Sequence, residues 1–190
     1  MWRRADRRGQ VERRTRSPPG RSARSAAQTL RDLVQSGLRD REARRPASGL
    51  RVTALAACYS GVPDALAELR AAGWRVGIVT NGAAGRQLAK IRRTGLDGMV
   101  DGYAISQAEG VRKPAVELFA IAARRCGTDL GEGGWMVGDN LATDIVGARA
   151  AGLRGVWVDH GTWPGHDDAL ADHVVAHVVE GVAVIRNAHP

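Results

Sequence analysis

The sequence predicts an α/β protein built on a doubly wound parallel sheet. Three observations carry that prediction. From Pro63 onward, short apolar runs alternate with helical patterns, glycines close the helices, and the connections are short. Such alternation is what strand–helix crossovers require, and strands buried on both faces read as near-continuous apolar runs.

In chain order, a helical pattern runs over 25–45, with Leu30, Leu33, Val34 and Leu38 on one face and Pro46 breaking it. A weaker helical stretch covers 50–58, ahead of a turn at Ser60-Gly61. Pro63 opens a helix through Leu66, Leu69 and Arg70, stopped at Gly73. Then come a strand over 75–80, a helix over 85–93 closed at Gly95, a strand over 100–106, and a helix over 114–125 closed at Gly127. A strand over 135–137 leads into a helix over 144–151 closed at Gly152, followed by a strand over 155–159. A loop through 163–166, a strand near 173–178 and a short helix after Glu180 complete the reading.

Charge divides the chain unevenly. Residues 1–45 hold 14 Arg and no Lys against 5 acidic residues, a net of +9, while residues 46–190 hold 14 basic against 15 acidic residues, a net of −1. The front segment is poor in large aliphatics, so it cannot bury enough apolar surface to offset its ordering entropy, and 1–24 is expected as a basic disordered tail. An Arg-rich tail raises nucleic-acid binding as a reading, but no aromatic residue is interleaved to stack on bases, which argues against it. Arg, Pro, Ser, Gly and Ala without Lys is also what a GC-rich gene yields from a wrong frame or start. No apolar run approaches the roughly 20 residues needed to span a bilayer, and no signal sequence is expected. Cys58 and Cys126 form no metal-ligand or redox pattern, which fits two free thiols in a cytoplasmic protein. Oligomeric state is not legible.

Three segments carry chemistry. Thr80, at the end of an apolar strand and followed by Asn81-Gly82, offers a hydroxyl and backbone N–H groups to one anion; capping of the following helix is the alternative reading. Lys113, between Arg112 and Pro114, can neutralise a bound phosphate as a compact charge, or pair with Asp144, or stand solvated. It is one of only two lysines after residue 45, the other being Lys90. Asp139 stands at a strand end where a hard cation could take its oxygen, and Asp144 lies five positions on, with Asn140 and Thr143 as polar neighbours or caps. In a doubly wound sheet, ligands bind beyond the carboxyl ends of the strands, where all three segments fall.

The order and spacing of these segments resemble the haloacid dehalogenase superfamily, in its phosphatase-like branch with an insertion-type cap, over about residues 55–180. Thr80 with Asn81 is similar to that family's second motif, Lys113 to its third, and Gly138-Asp139 through Asp144 to its fourth. Phospho-acceptor receiver domains also combine Asp, Thr and Lys, but their acidic pair comes first in the chain. The resemblance implies Mg2+-dependent hydrolysis of a small phosphorylated molecule. It implies Thr80, Asn81 and Lys113 as catalytic groups, Thr80, Asn81, Gly82 and Lys113 as phosphate-binding, and Asp139 with Asp144 as metal-binding.

The family's first motif, an apolar strand ending in Asp-x-Asp, has no counterpart. Upstream lie only Asp6, Asp32, Asp40 and Asp64, none after an apolar strand. The expectation is therefore a core lacking its first central strand, worth about 10 kcal/mol for five buried apolar residues at ~2 kcal/mol each, or filling the gap with a segment such as 51–57. The division expected is a tail over 1–24, a helical remnant of the cap region over 25–58 and the core over 59–190. Activity is expected to be absent as written, and Mg2+ binding weak or absent. A non-catalytic phosphate-binding protein is the competing function.

Overall fold

The computed structural model describes residues 25–28, 34–36, 56–161 and 170–188. The tail expected over 1–24 lies outside them. β1 (Ser25–Gln28) is followed by β2 (Val34–Ser36), β3 (Ala56–Cys58), α1 (Val62–Ala71), β4 (Arg75–Thr80) and α2 (Ala84–Arg93). Next come β5 (Gly102–Ile105), the single turn α3 (Ser106–Glu109), α4 (Val116–Arg125) and β6 (Trp135–Gly138). A π-type turn (Leu141–Ile145) then runs into α5 (Val146–Ala150), β7 (Arg154–Val158), β8 (His173–Val175) and α6 (Val178–Asn187).

The strand order is β5-β4-β1-β6-β7-β8, every neighbouring pair parallel, and β2 with β3 forms a separate antiparallel ribbon. The chain winds outward from β1 to β4 and β5 on one side, then to β6, β7 and β8 on the other. The winding reverses at β1, flanked by the ends of β4 and β6, where a doubly wound sheet opens its ligand crevice.

Two expectations fail here. The central strand is not missing: Ser25–Gln28 occupies its place, Gln28 pairing with Ile78 on one side and Val137 on the other. Nor is the stretch that opens at residue 25 helical, since its described residues are strands, and Ala56 and Ala57, in the stretch considered for the gap, sit instead in the ribbon. The cause is backbone bookkeeping rather than composition. Between β4 and β6 two rows of N–H and C=O groups need partners, and any proline-free segment can supply them. Ser-Ala-Ala-Gln completes that ladder but brings two alanines where five large apolar residues were expected.

Elsewhere the pattern works as strand geometry demands. Alternate residues of β4 point to opposite faces. Val76 and Ile78 join Leu66 and Leu69 of α1 and Ile185 of α6 in one core; Val79 joins Met136, Phe119 and Leu118 in the other. Trp157, fully buried, packs with Leu141 and Ile145 beneath the π-type turn. Pro114 does not open a helix as expected. Ala115 N–H bonds the Arg112 carbonyl at 2.9 Å, closing a turn, and α4 begins after Ala115. Among the described residues no helix is long and apolar enough to cross a membrane.

Both cysteines are unpaired, Cys58 half-buried and Cys126 buried. Burial pushes the Cys126 thiol from 9.0 up to about 12. The neutral thiol therefore adds stability that is fully present below the unfolded value and lost as pH climbs through the folded one. Cys126→Ala should flatten the loss of urea stability between pH 9 and about 12, and iodoacetamide should label Cys58 well before Cys126 in the native protein.

Candidate active site

Thr80 closes β4, and both it and Lys113 are 2% exposed. Lys113 reaches the site from the loop between α3 and α4. Its Nζ donates to the Val79 carbonyl at 2.9 Å and lies 2.7 Å from Asp144 Oδ1, a carboxylate only 1% exposed. The pairing weighed from sequence is thus present. Its geometry suits a buried ion pair, in which extra hydrogen bonds must satisfy the remaining atoms. Asp144 Oδ1 also accepts from the Thr143 hydroxyl at 3.1 Å, and Oδ2 accepts from Asn140 N–H at 3.3 Å. Asn140 in turn caps the π-type turn, its Oδ1 accepting from Thr143 N–H at 3.0 Å. Such π-type turns cluster at functional sites.

Asp144 can fold back over the end of β6 because Gly138 has no side chain. A Cβ there would stand 2.5 Å from both the Asp144 Cβ and its Oδ2. Asp139 follows directly, 8% exposed, and its carbonyl accepts from Trp157 Nε1 at 3.1 Å, which ties the residue to the neighbouring strand.

The structure brings Thr80, Lys113, Asp139 and Asp144 to one end of the sheet, and Asn81 and Gly82 make protein contacts beside them. The Asn81 side chain clamps the Lys113 backbone from both sides: Oδ1 accepts from Lys113 N–H at 2.9 Å, and Nδ2 donates to the Lys113 carbonyl at 3.1 Å. Gly82 N–H donates to Ser106 Oγ at 2.9 Å. A cleft of about 510 Å3 opens beside Asn81 and Gly82, bounded on the far side by Ser106, Gln107 and Arg112; its lining includes one cation and no acid.

Sequence reading missed Gln87, Ser106 and Gln107. Gln87 Nε2 donates to both Thr80 Oγ1 and the Asn81 carbonyl, each at 2.9 Å, and Gln107 Oε1 accepts from Ala84 N–H at 2.8 Å. The available signal was a lone amide one turn into α2, on the side facing the strand it follows.

Among the described residues the donor set for a divalent cation is sparse. Mg2+ asks for one or two carboxylates backed by waters and phosphate oxygens. Asp144 Oδ1 already faces Lys113 and Thr143 and its Oδ2 accepts from Asn140, which leaves this carboxylate little capacity for a cation and makes Asp139 the main candidate of the pair. β1 brings none: its residues are Ser, Ala, Ala and Gln, and Gln28 pairs two residues short of Thr80 and Asp139. Among the described residues no group of three or more His, Cys, Asp or Glu converges.

Comparison with known proteins places these features in context. The family model described as haloacid dehalogenase-like hydrolase matches residues 6–152. A glyceraldehyde 3-phosphate phosphatase of Methanopyrus kandleri is 36% identical over 132 residues, which is 67% of this chain and 56% of that protein. A phosphoserine phosphatase of Thermus thermophilus is 38% identical over 117 residues, covering 60% of this chain and 47% of its own length. The chain therefore spans about half the length of the curated relatives it matches. Among solved structures, a HAD phosphatase from Thermococcus onnurineus superposes with a TM-score of 0.62 at 28% identity, covering 72% of this chain and 61% of its own. A HAD-type hydrolase of Bacillus subtilis bound to magnesium superposes with a TM-score of 0.59 at 25% identity, covering 69% and 57%.

Proposed function

This chain belongs to the haloacid dehalogenase-like hydrolases, and from that premise we propose that its site grips the phosphoryl group of a small phosphorylated molecule without turning it over. Thr80 offers its hydroxyl and Lys113 its charge. The Lys113 ammonium is held in place by Asp144 and by the Val79 carbonyl, so it needs no reorganisation when an oxyanion arrives. The named relatives are phosphatases of glyceraldehyde 3-phosphate and of phosphoserine, which supports a compact phosphomonoester as the ligand.

The observation that carries the second half of the proposal is the middle strand. A nucleophilic carboxylate is needed just past its carboxyl end for covalent transfer; Ser25–Gln28 contains no acid, and the next acid in the sequence is Asp32, four positions on. Removing such a nucleophile costs on the order of a millionfold in kcat and leaves binding and electrostatic effects behind. With Asp139 the main candidate of the acidic pair, Mg2+ dependence is correspondingly weak. The two unpaired cysteines suit a reducing, cytoplasmic compartment.

Aryl phosphate with millimolar Mg2+ should be hydrolysed no faster by this protein than by its Thr80→Val variant. Phosphate or a sugar phosphate at a hundred times its Kd should add about 2.7 kcal/mol, a rise in Tm of several degrees, to the wild type and about half as much to Thr80→Val. Turnover abolished by Thr80→Val would overturn the claim of inactivity. No stabilisation by any phosphate compound would overturn the claim of binding.

A further inference from the structure

We infer that Gln87 is a positioning residue that sets the direction of the Thr80 hydroxyl proton, turning Thr80 into a donor toward an anion. The Asn81 carbonyl can only accept, and it lies 2.9 Å from Gln87 Nε2. That contact fixes which end of the amide is nitrogen, because the opposite assignment would set two acceptors against each other. The same Nε2 lies 2.9 Å from Thr80 Oγ1, so there too the amide donates and the hydroxyl accepts. A hydroxyl that accepts from Gln87 keeps its own proton for another partner. Among the described residues none accepts it, although Thr80 is only 2% exposed.

Two further observations show that the fold goes out of its way to keep this arrangement. Gln87 Oε1 is buried with no partner, a cost accepted so that Nε2 can face Thr80 and Asn81. Gly82 leaves the space: a Cβ there would stand 2.8 Å from Gln87 Nε2 and 3.0 Å from its Cγ and Cδ. The result is a buried donor held in one orientation at the carboxyl end of β4, one residue after the Val79 carbonyl that receives the Lys113 ammonium. This inference rests on the anion-binding reading above and adds to it the residue that makes Thr80 select acceptor oxygens.

A double-mutant cycle on the full chain tests it, with orthophosphate as the probe and Kd read by calorimetry. Gln87→Met keeps the length and apolar contacts of the side chain but cannot donate. It should weaken binding about tenfold, as should Thr80→Val, and the double variant should also be about tenfold weaker rather than a hundredfold. Gln87→Met binding like wild type, or a double variant near the product of the two singles, overturns the inference while leaving the proposed function intact. Melting of the ligand-free variants supplies a second measurement. Gln87→Glu sets an oxygen against the Asn81 carbonyl and should melt several degrees below Gln87→Met; equal or higher melting overturns the amide orientation and the inference with it. Wild type that binds no orthophosphate overturns the proposed function instead, and the melting comparison alone then upholds or overturns the orientation of Gln87.

Discussion

Lys113→Ala is expected to lose about 3–5 kcal/mol of folding stability, the cost of stripping one partner from a buried ion pair. Lys113 and Asp144 are 2% and 1% exposed, with 2.7 Å between Nζ and Oδ1, so water does not reach in to replace the ammonium. The abandoned carboxylate keeps the Thr143 hydroxyl and Asn140 N–H, which do not neutralise its charge. Against a whole-domain stability of about 5–15 kcal/mol, this single change brings the protein close to unfolding. The pair need not be stabilising in itself, because desolvation offsets much of its attraction. Lys113→Met combined with Asp144→Leu removes both charges at similar volume and should lose less than either single change. Urea unfolding followed by tryptophan fluorescence measures this, since Trp74, Trp135 and Trp157 are all buried. A loss under about 1 kcal/mol in Lys113→Ala would show a solvated pair and remove the pre-organised charge from the site.

The parts of this molecule that were legible in its sequence are those specified locally. β4, β6 and β7 announce themselves as apolar runs, and α1, α2 and α4 end where Gly73, Gly95 and Gly127 reverse the chain with positive φ. The meeting of Thr80, Lys113, Asp139 and Asp144 followed from strand ends alone, since a parallel sheet gathers the residues after its strands. β1 was illegible for the opposite reason. Ser-Ala-Ala-Gln has no strand signature of its own; its conformation is imposed by the unpaired backbone of β4 and β6 on either side. Gln87 was missed because its role depends on a contact back across seven residues to Thr80, and the Asn81 side-chain clamp went unseen because its partner is the Lys113 main chain, 32 positions away. Side chains that serve other side chains leave little trace in spacing.

Gly138→Ala is the second large effect, and the position shows why a glycine ends β6. The residue lies within the strand, so the demand on it is space. The added methyl would fall 2.5 Å from the Asp144 Cβ and Oδ2 and 2.8 Å from its Cγ, all side-chain atoms of the carboxylate paired with Lys113. Either Asp144 swings out, leaving the Lys113 ammonium buried without its counter-ion, or the strand end shifts and carries Asp139 and its bond from Trp157 with it. The first route costs about 3–5 kcal/mol and the second about 1–3 kcal/mol of overpacking. The two separate in a double variant. If Asp144 moves, Gly138→Ala costs much less once Lys113→Met has already removed the charge it would strand, and the two losses fail to add. If the strand moves instead, the losses add and the Trp157 fluorescence shifts in both backgrounds. A Gly138→Ala protein that unfolds within about 0.5 kcal/mol of wild type in urea would show that Asp144 does not fold over the strand end, and the held ammonium would lose its structural basis.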